Sequence, residues 1–233
     1  MTKHIGIVAC SAEGAALCYR TICTEGMAAT GKGTHPEVTM HTPPFDKYVE
    51  RLEAGDWQGV AALMLDSVMK VAHVGADFAI CPDNTIHQAF DMVALRSPIP
   101  WLHIAEMVAA EARERGYRRL GILGTRLLME GPVYSDKLAK LGMEYRIPNP
   151  EARERINRII FEELVRGRFS AESLAYFASV IAEMRQDGCD AVVLGCTEIP
   201  LLVSQEDSRL PILDSTRLLA RAALKKAVEI NGG

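Results

Sequence analysis

The chain has 233 residues, enough to bury a sizeable core as one large domain or two small ones. A hydrophobic fraction of 48% and a charged fraction of 24% exclude a disordered chain, and a formal charge of −4 with scattered basic residues excludes a nucleic-acid footprint. No apolar run approaches the roughly 20 residues that span a bilayer, so no membrane association and a cytoplasmic location are expected.

The first strand is expected at 4–10 in "KHIGIVAC", followed by a helix over 13–29. The intervening "ACSAEG" keeps only the last glycine of the dinucleotide fingerprint, which disfavours nucleotide binding. Further strands are predicted at 38–42, 77–81, 119–124, 144–147 and 191–195. Between them the apolar spacing predicts helices at 46–53, 57–74, 85–94, 103–115, 131–141, 150–166 and 171–187. A last helix over 215–230 starts at Asp214 or Ser215, shows Leu218, Leu219 and Ala222 on its apolar face, and frays into "NGG". Apolar strands alternating with amphipathic helices specify an α/β class with parallel sheets covered on both faces.

Two segments repeat. "GADFAICPDNT" from Gly75 and "GCDAVVLGCTE" from Gly188 align Asp83 with Cys196 at an offset of 113 residues. "IGIVACSAEG" from Ile5 and "LGILGTRLLMEG" from Leu120 align Cys10 with Thr125 at an offset of 115. Nearly equal offsets indicate two pseudo-symmetric doubly wound halves, 1–97 and 98–211, with 212–233 packing back on the first. Open parallel sheets place ligands at the carboxyl ends of their strands, so an active site in a cleft between the halves is expected there.

Asp83, Asn84 and Thr85 follow one such strand, and Cys196, Thr197 and Glu198 follow its counterpart. Asp83 reads as an acid/base, an ammonium anchor, or an N-cap of the helix beginning near Thr85. Cys196 reads as a reactive thiol at a strand-to-helix turn or as a small buried core residue. Asn84, Thr85, Thr125 and Thr197 could hold a substrate carboxylate, although such residues also cap helices. His87, Ser11 and Glu198 are further substrate-binding candidates, each with an ordinary structural alternative.

Six cysteines, Cys10, Cys18, Cys23, Cys81, Cys189 and Cys196, include no CxxC pair and no companion histidines at zinc spacing, so reduced thiols and no metal are expected. No P-loop, GxSxG elbow or HExxH helix occurs, and the lysines read as surface residues rather than pyridoxal phosphate anchors.

"DNTIH", "LGILGT" and "VVLGCTEIPLL", with "ACSAEGAALCY", "FDKYVERLEAGDW" and "RIIFEELVRGRF", resemble the aspartate/glutamate racemase superfamily over nearly the whole chain, with Ser11 and Tyr19 in their expected places. The resemblance implies a cofactor-independent racemase, commonly a homodimer, in which one cysteine per half passes a proton across the substrate's α-carbon. Cys196 corresponds to the second cysteine; Asp83 occupies the place of the first, and Cys81 stands two residues too early. Ala9 and Cys10 replace the paired glycines of the first loop, and Leu219 stands where a histidine is frequent.

An unperturbed aspartate lies about 4.6 pH units below a thiol, roughly 6 kcal/mol less driving force for proton abstraction. Asp83 would need burial in an apolar site to act as a base. Arg168 and Lys47 are the candidates for a distal substrate carboxylate, and a neutral substrate side chain is expected if neither reaches it. The sequence thus points to an amino-acid racemase or epimerase using Cys196 and Asp83 on a small carboxylic or amino-acid substrate. A one-cysteine isomerase or decarboxylase of small carboxylic acids and a non-catalytic ligand-binding relative are the alternatives.

Overall fold

The computed structural model describes residues 2–30 and 33–229; the expected fraying of "NGG" lies outside the described residues. Two four-stranded sheets, all parallel, organise the chain. The first contains β1 (Ile5–Val8), β2 (Val38–His41), β3 (Phe78–Ile80) and β4 (Trp101–Leu102) in the order β2-β1-β3-β4. The second contains β5 (Arg119–Leu123), β6 (Glu144–Arg146), β7 (Ala191–Leu194) and β8 (Ile212–Asp214) in the order β6-β5-β7-β8.

The repeat extends to the register. Ile5 pairs with Phe78 in the first sheet and Leu120 with Ala191 in the second, the same residues under the offsets of 115 and 113. Its shared Gly and Asp have a structural cause. Gly75 and Gly188 adopt φ of +100° and +83°, a conformation that favours glycine and turns the chain from a helix into a strand. Two residues on, Asp77 accepts the His4 amide at 2.6 Å, and Asp190 accepts the Arg118 and Arg119 amides at 2.7 and 3.2 Å. Each aspartate ties the start of its strand to the start of the neighbouring one.

The chain divides into two compact units, Met1–Ile104 with Thr216–Gly233 and Ala105–Ser215. In the first unit, helices α1 (Ala12–Ala29), α2 (Phe45–Glu53), α3 (Trp57–His73) and α4 (Phe90–Ala94) accompany the sheet. A core of Val8, Val60, Met64, Val68, Val71 and Ala79 lies between sheet and helices. α5 (Ile104–Glu114) crosses the unit boundary. In the second unit, α6 (Arg126–Glu130), α7 (Pro132–Ala139), α8 (Pro150–Glu162), α9 (Ala171–Gln186) and α10 (Ile199–Leu202) precede α11 (Ser215–Val228). Its core gathers Leu123, Ile156, Ile160, Phe177, Ile181, Val192 and Leu194. Caps fix the starts: Asp56 accepts Gly59 N at 2.8 Å, and Asn149 accepts Ala152 N at 2.9 Å ahead of Pro150. α11 joins the first unit through Lys3 N donating to Ala227 O at 2.9 Å and a bidentate Arg221–Glu25 pair at 2.8 and 2.9 Å.

The structure corrects several boundaries. The segment 85–94 is a 3-10 turn, Thr85–Ala89, running into α4, because the Asp83 and Asn84 acceptors tighten its first turn. α6 precedes the expected 131–141 helix, which begins only at Pro132, the proline forcing a new start. β4 and β8 were not expected: two and three residues long and preceded by Pro100 and Pro211, they lack a readable pattern. In α11 the buried stripe is Leu219, Ala220, Ala223, Leu224 and Ala227, while Leu218 and Ala222 are only half-buried. Both stripes are apolar; the charges at Arg217, Arg221 and Lys225 decide which turns inward.

Candidate active site

The residues singled out from the sequence fall into two sets, one per unit, each at the carboxyl ends of the two central strands. In the second unit, β5 runs through Gly124 into Thr125, and β7 runs through Gly195 into Cys196, Thr197 and Glu198. A Cβ on Gly195 would stand 2.5 Å from Leu128 Cδ2 and 2.9 Å from Leu123 O. Only glycine lets the two strand ends approach this closely.

Beyond Gly195, Cys196, Thr197 and Glu198 are all buried. The Cys196 thiol donates to Glu198 Oε2 at 3.0 Å, and the Thr197 hydroxyl donates to the same oxygen at 2.8 Å. The three residues thus form one buried hydrogen-bonded group centred on Glu198 Oε2. Glu198 precedes the short α10 and makes no side-chain cap bond there; its carboxylate is turned to Cys196 and Thr197. Thr125 is buried and caps α6, its hydroxyl accepting Leu128 N at 3.2 Å. Beneath β7, Ser215 donates to Leu194 O at 2.8 Å, and burial holds the neighbouring Tyr134 phenol well above its ordinary range.

In the first unit, Ser11 caps α1, its hydroxyl accepting Gly14 N at 3.4 Å. Asp83 is half-buried, and its Oδ1 accepts Ile86 N at 3.3 Å, the capping bond considered from the sequence. Asn84 and Thr85 are buried beside it. His87, also buried, bridges two stretches of backbone: Nδ1 lies 2.6 Å from Asp83 O, and Nε2 accepts Ile104 N at 3.3 Å. The Ile104 bond requires a lone pair on Nε2, which puts the proton on Nδ1, donating to Asp83 O. Phe90 stacks on this ring, with centroids 5.5 Å apart, and His103 meets it edge-on at 4.7 Å. The two ring nitrogens of His87 thus tie the Asp83 carbonyl to the first residue of α5.

Cys81 is fully buried. Burial, and then the charge of Asp83, push its thiol well above the ordinary range. It packs in the hydrophobic core of the first unit. Tyr48, on α2, has no solvent exposure, and its hydroxyl has no hydrogen-bond partner. Burial raises its phenol, reinforced by Cys81, Cys10 and Asp83. Ser67, fully buried on α3, lies 2.9 Å from His41 Nδ1, and Lys70 Nζ lies 3.3 Å from His41 Nε2. Nothing in "FDKYVERL" marks Tyr48 as a buried hydroxyl, because a tyrosine on an amphipathic helix reads as core. Lys47 and Arg168 are exposed, and the Arg168 guanidinium is engaged by the Glu162 carbonyl. Tyr19 is exposed as well.

Among the described residues no group of three or more His, Cys, Asp or Glu side chains could hold a metal ion, and no helix is long and apolar enough to cross a membrane. A cavity of about 700 Å³ in the second unit lies at the amino ends of β5 and β7, lined by Arg113, Tyr117, Arg118, Leu141 and Asp190, and includes none of these candidates.

Two parallel α/β units of one topology, each with polar groups at its strand ends, define a two-unit α/β class of protein. A crystal structure of a protein from Yersinia pestis reported as a candidate Asp/Glu racemase matches with a TM-score of 0.90 and 32% identity, over 97% of this chain and 100% of that one. A Pyrococcus horikoshii OT3 aspartate racemase homologue matches with a TM-score of 0.84 and 29% identity, over 98% of this chain and 100% of that one. The broad specificity amino-acid racemase RacX of Bacillus subtilis (strain 168) is 22% identical over 202 residues, 87% of this chain and 86% of RacX. The chain belongs to the Asp/Glu/hydantoin racemase family, which it matches over residues 7–223, and it is accordingly an enzyme of the isomerase class.

Proposed function

We propose that the protein is an amino-acid racemase or epimerase that works through its own side chains, with Cys196 and Asp83 as the two acid/base groups. The observation that carries this reading is the hydrogen bond from the Cys196 thiol to buried Glu198, shared by Thr197. Inversion at an α-carbon needs a base on one face and an acid on the other. Transfer of the S–H proton to Glu198 Oε2 leaves a thiolate; the thiolate takes the α-proton, and the protonated Asp83 carboxyl returns one to the opposite face. In the reverse direction the Asp83 carboxylate is the base and the Cys196 thiol the acid. Asn84, Thr85, Thr125 and Ser11 supply side-chain donors, and Thr197 its backbone N–H, for the substrate carboxylate. The exposure of Lys47 and the engagement of Arg168 support a substrate with a neutral side chain.

The bond from Ile86 N to Asp83 Oδ1 favours a second reading, a one-cysteine isomerase or decarboxylase of small carboxylic acids in which Asp83 only shapes its turn. Incubation with single D- and L-amino acids in deuterated buffer separates the two. Racemisation gives α-deuterium together with the opposite enantiomer, both abolished in Cys196→Ala. Exchange with retained configuration selects the one-sided reaction.

A further inference from the structure

Cys196 follows a glycine, the residue that leaves a chain most free to turn. Crowding demands it, because a Cβ at Gly195 would meet Leu128 Cδ2 and Leu123 O. A thiol that must address one carbon atom therefore stands beyond the loosest joint of its strand, and something has to remove that freedom.

The Leu194–Gly195 peptide is held at both ends. On the β5 side the Gly195 amide donates to Leu123 O at 2.7 Å. On the β8 side the Ser215 hydroxyl donates to Leu194 O at 2.8 Å. The carbonyl and the N–H belong to one rigid plane, so bonds from the two neighbouring strands' sides fix its tilt. Ser215 is fully buried at the start of α11, directly after β8. Past the thiol, Ile199 N donates to Cys196 O at 3.2 Å, and the thiol itself ends on Glu198. The backbone is thus gripped on either side of Cys196.

The first unit supplies a comparison. Under the offset of 113, Pro82 is the counterpart of Gly195, as Asp83 is of Cys196. Val193, the counterpart of Ile80, pairs with Leu213 as Ile80 pairs with Leu102. Ser215 therefore corresponds to Ile104, each being the first residue of the helix that follows its sheet's last strand. Proline fixes its own φ and glycine does not. Where the stiff residue precedes position 83, the helix start is an isoleucine. Where glycine precedes position 196, the helix start carries a hydroxyl bonded to the carbonyl just before it.

We propose that Ser215 is a positioning residue for Cys196: its hydroxyl locks the Leu194–Gly195 peptide and so keeps the thiol on Glu198. The proposal rests on the reading that Cys196 is an acid/base group, and it adds the residue that sets its aim.

The test is Ser215→Ala, read in two ways. With the amino acid that exchanges fastest in deuterated buffer, kcat falls about 10-fold with little change in KM, as a small misplacement of a reacting group predicts. Independently of any substrate, iodoacetamide alkylates Cys196 several-fold faster once the thiol leaves Glu198, while Cys189 of the same unit stays protected; peptide mass spectrometry separates the two. Ser215→Cys, similar in size and a weak donor, falls between. A lowered Tm with kcat and Cys196 alkylation both unchanged in Ser215→Ala makes the hydroxyl merely structural and overturns the inference; if that variant does not fold, unchanged values in Ser215→Cys overturn it. Faster Cys196 alkylation in Ser215→Ala, with no amino acid turned over by the wild type, upholds the tether and rejects the racemase reading.

Discussion

The Cys196 thiol ends on Glu198 Oε2, 3.0 Å away, and the Thr197 hydroxyl reaches the same oxygen at 2.8 Å. Glutamine at 198 keeps an acceptor oxygen but cannot take a proton. Loss of a general base typically costs about 10²–10⁴-fold, so Glu198→Gln is expected to slow α-proton exchange by at least about 10²-fold with little change in Tm. Near-wild-type exchange in that variant would show that Glu198 only orients its neighbours.

At position 83, cysteine is the informative substitution. If the aspartate stands in the place of a thiol with unchanged geometry, Asp83→Cys increases racemisation, because the thiol recovers roughly 6 kcal/mol of proton affinity. A large loss instead means that the carboxylate has a task of its own. Chiral chromatography of the product after a fixed time reads either result.

His87 joins Asp83 O at 2.6 Å to Ile104 N at 3.3 Å, deep in the first unit. His87→Ala leaves two backbone groups short of a partner, at about 1–3 kcal/mol each. Urea unfolding is expected to show a loss of about 2–4 kcal/mol, part of the cost being recovered by water. A loss below about 0.5 kcal/mol, the range of ordinary surface substitutions, would mean that the bridge contributes nothing.

Gly195→Ala drives a methyl group against Leu128 Cδ2 and Leu123 O. Overpacking of this kind costs about 1–3 kcal/mol, and here it also displaces the adjacent Cys196. The leucine end can move and the backbone oxygen cannot. Adding Leu128→Ala should therefore restore only part of the lost turnover; a double-mutant cycle with no coupling would refute the crowding.

Cys81 offers a test by pH. Burial and the charge of Asp83 raise its thiol in the folded state, so the neutral form is stabilised by folding. That contribution is fully present below the unfolded thiol value, about 8.5, and is lost as pH rises toward the folded value. Iodoacetamide at pH 8.5 should leave Cys81 unlabelled in the native protein and label it in denaturant, as read by peptide mass spectrometry.

The frame of the fold was legible because its signals are local. Runs such as "FAI" and "AVVL" are apolar throughout, and the Gly–x–Asp turns before them recur because each aspartate has the same backbone task. Edge strands of two or three residues and the division of the 85–94 segment depend on partners far away in sequence. At the site, the chain position of Cys196, Thr197 and Glu198 was readable. That the glutamate turns back to the thiol was not, because a first-turn glutamate equally serves the helix dipole. Ser67 and His41 lie on different elements, and only folding makes neighbours of them.

The sheet borders carry a consequence for how copies of the protein meet. β4 has two residues behind Pro98 and Pro100, β8 has three behind Pro211, and β6 presents Glu144, Tyr145 and Arg146, all exposed. Prolines and charges on so short a border give an incoming strand little to zip onto, which guards against edge-to-edge aggregation. Those three borders leave the β2 edge and the helical exterior as the surfaces for self-association, and substitutions on each tell the two apart.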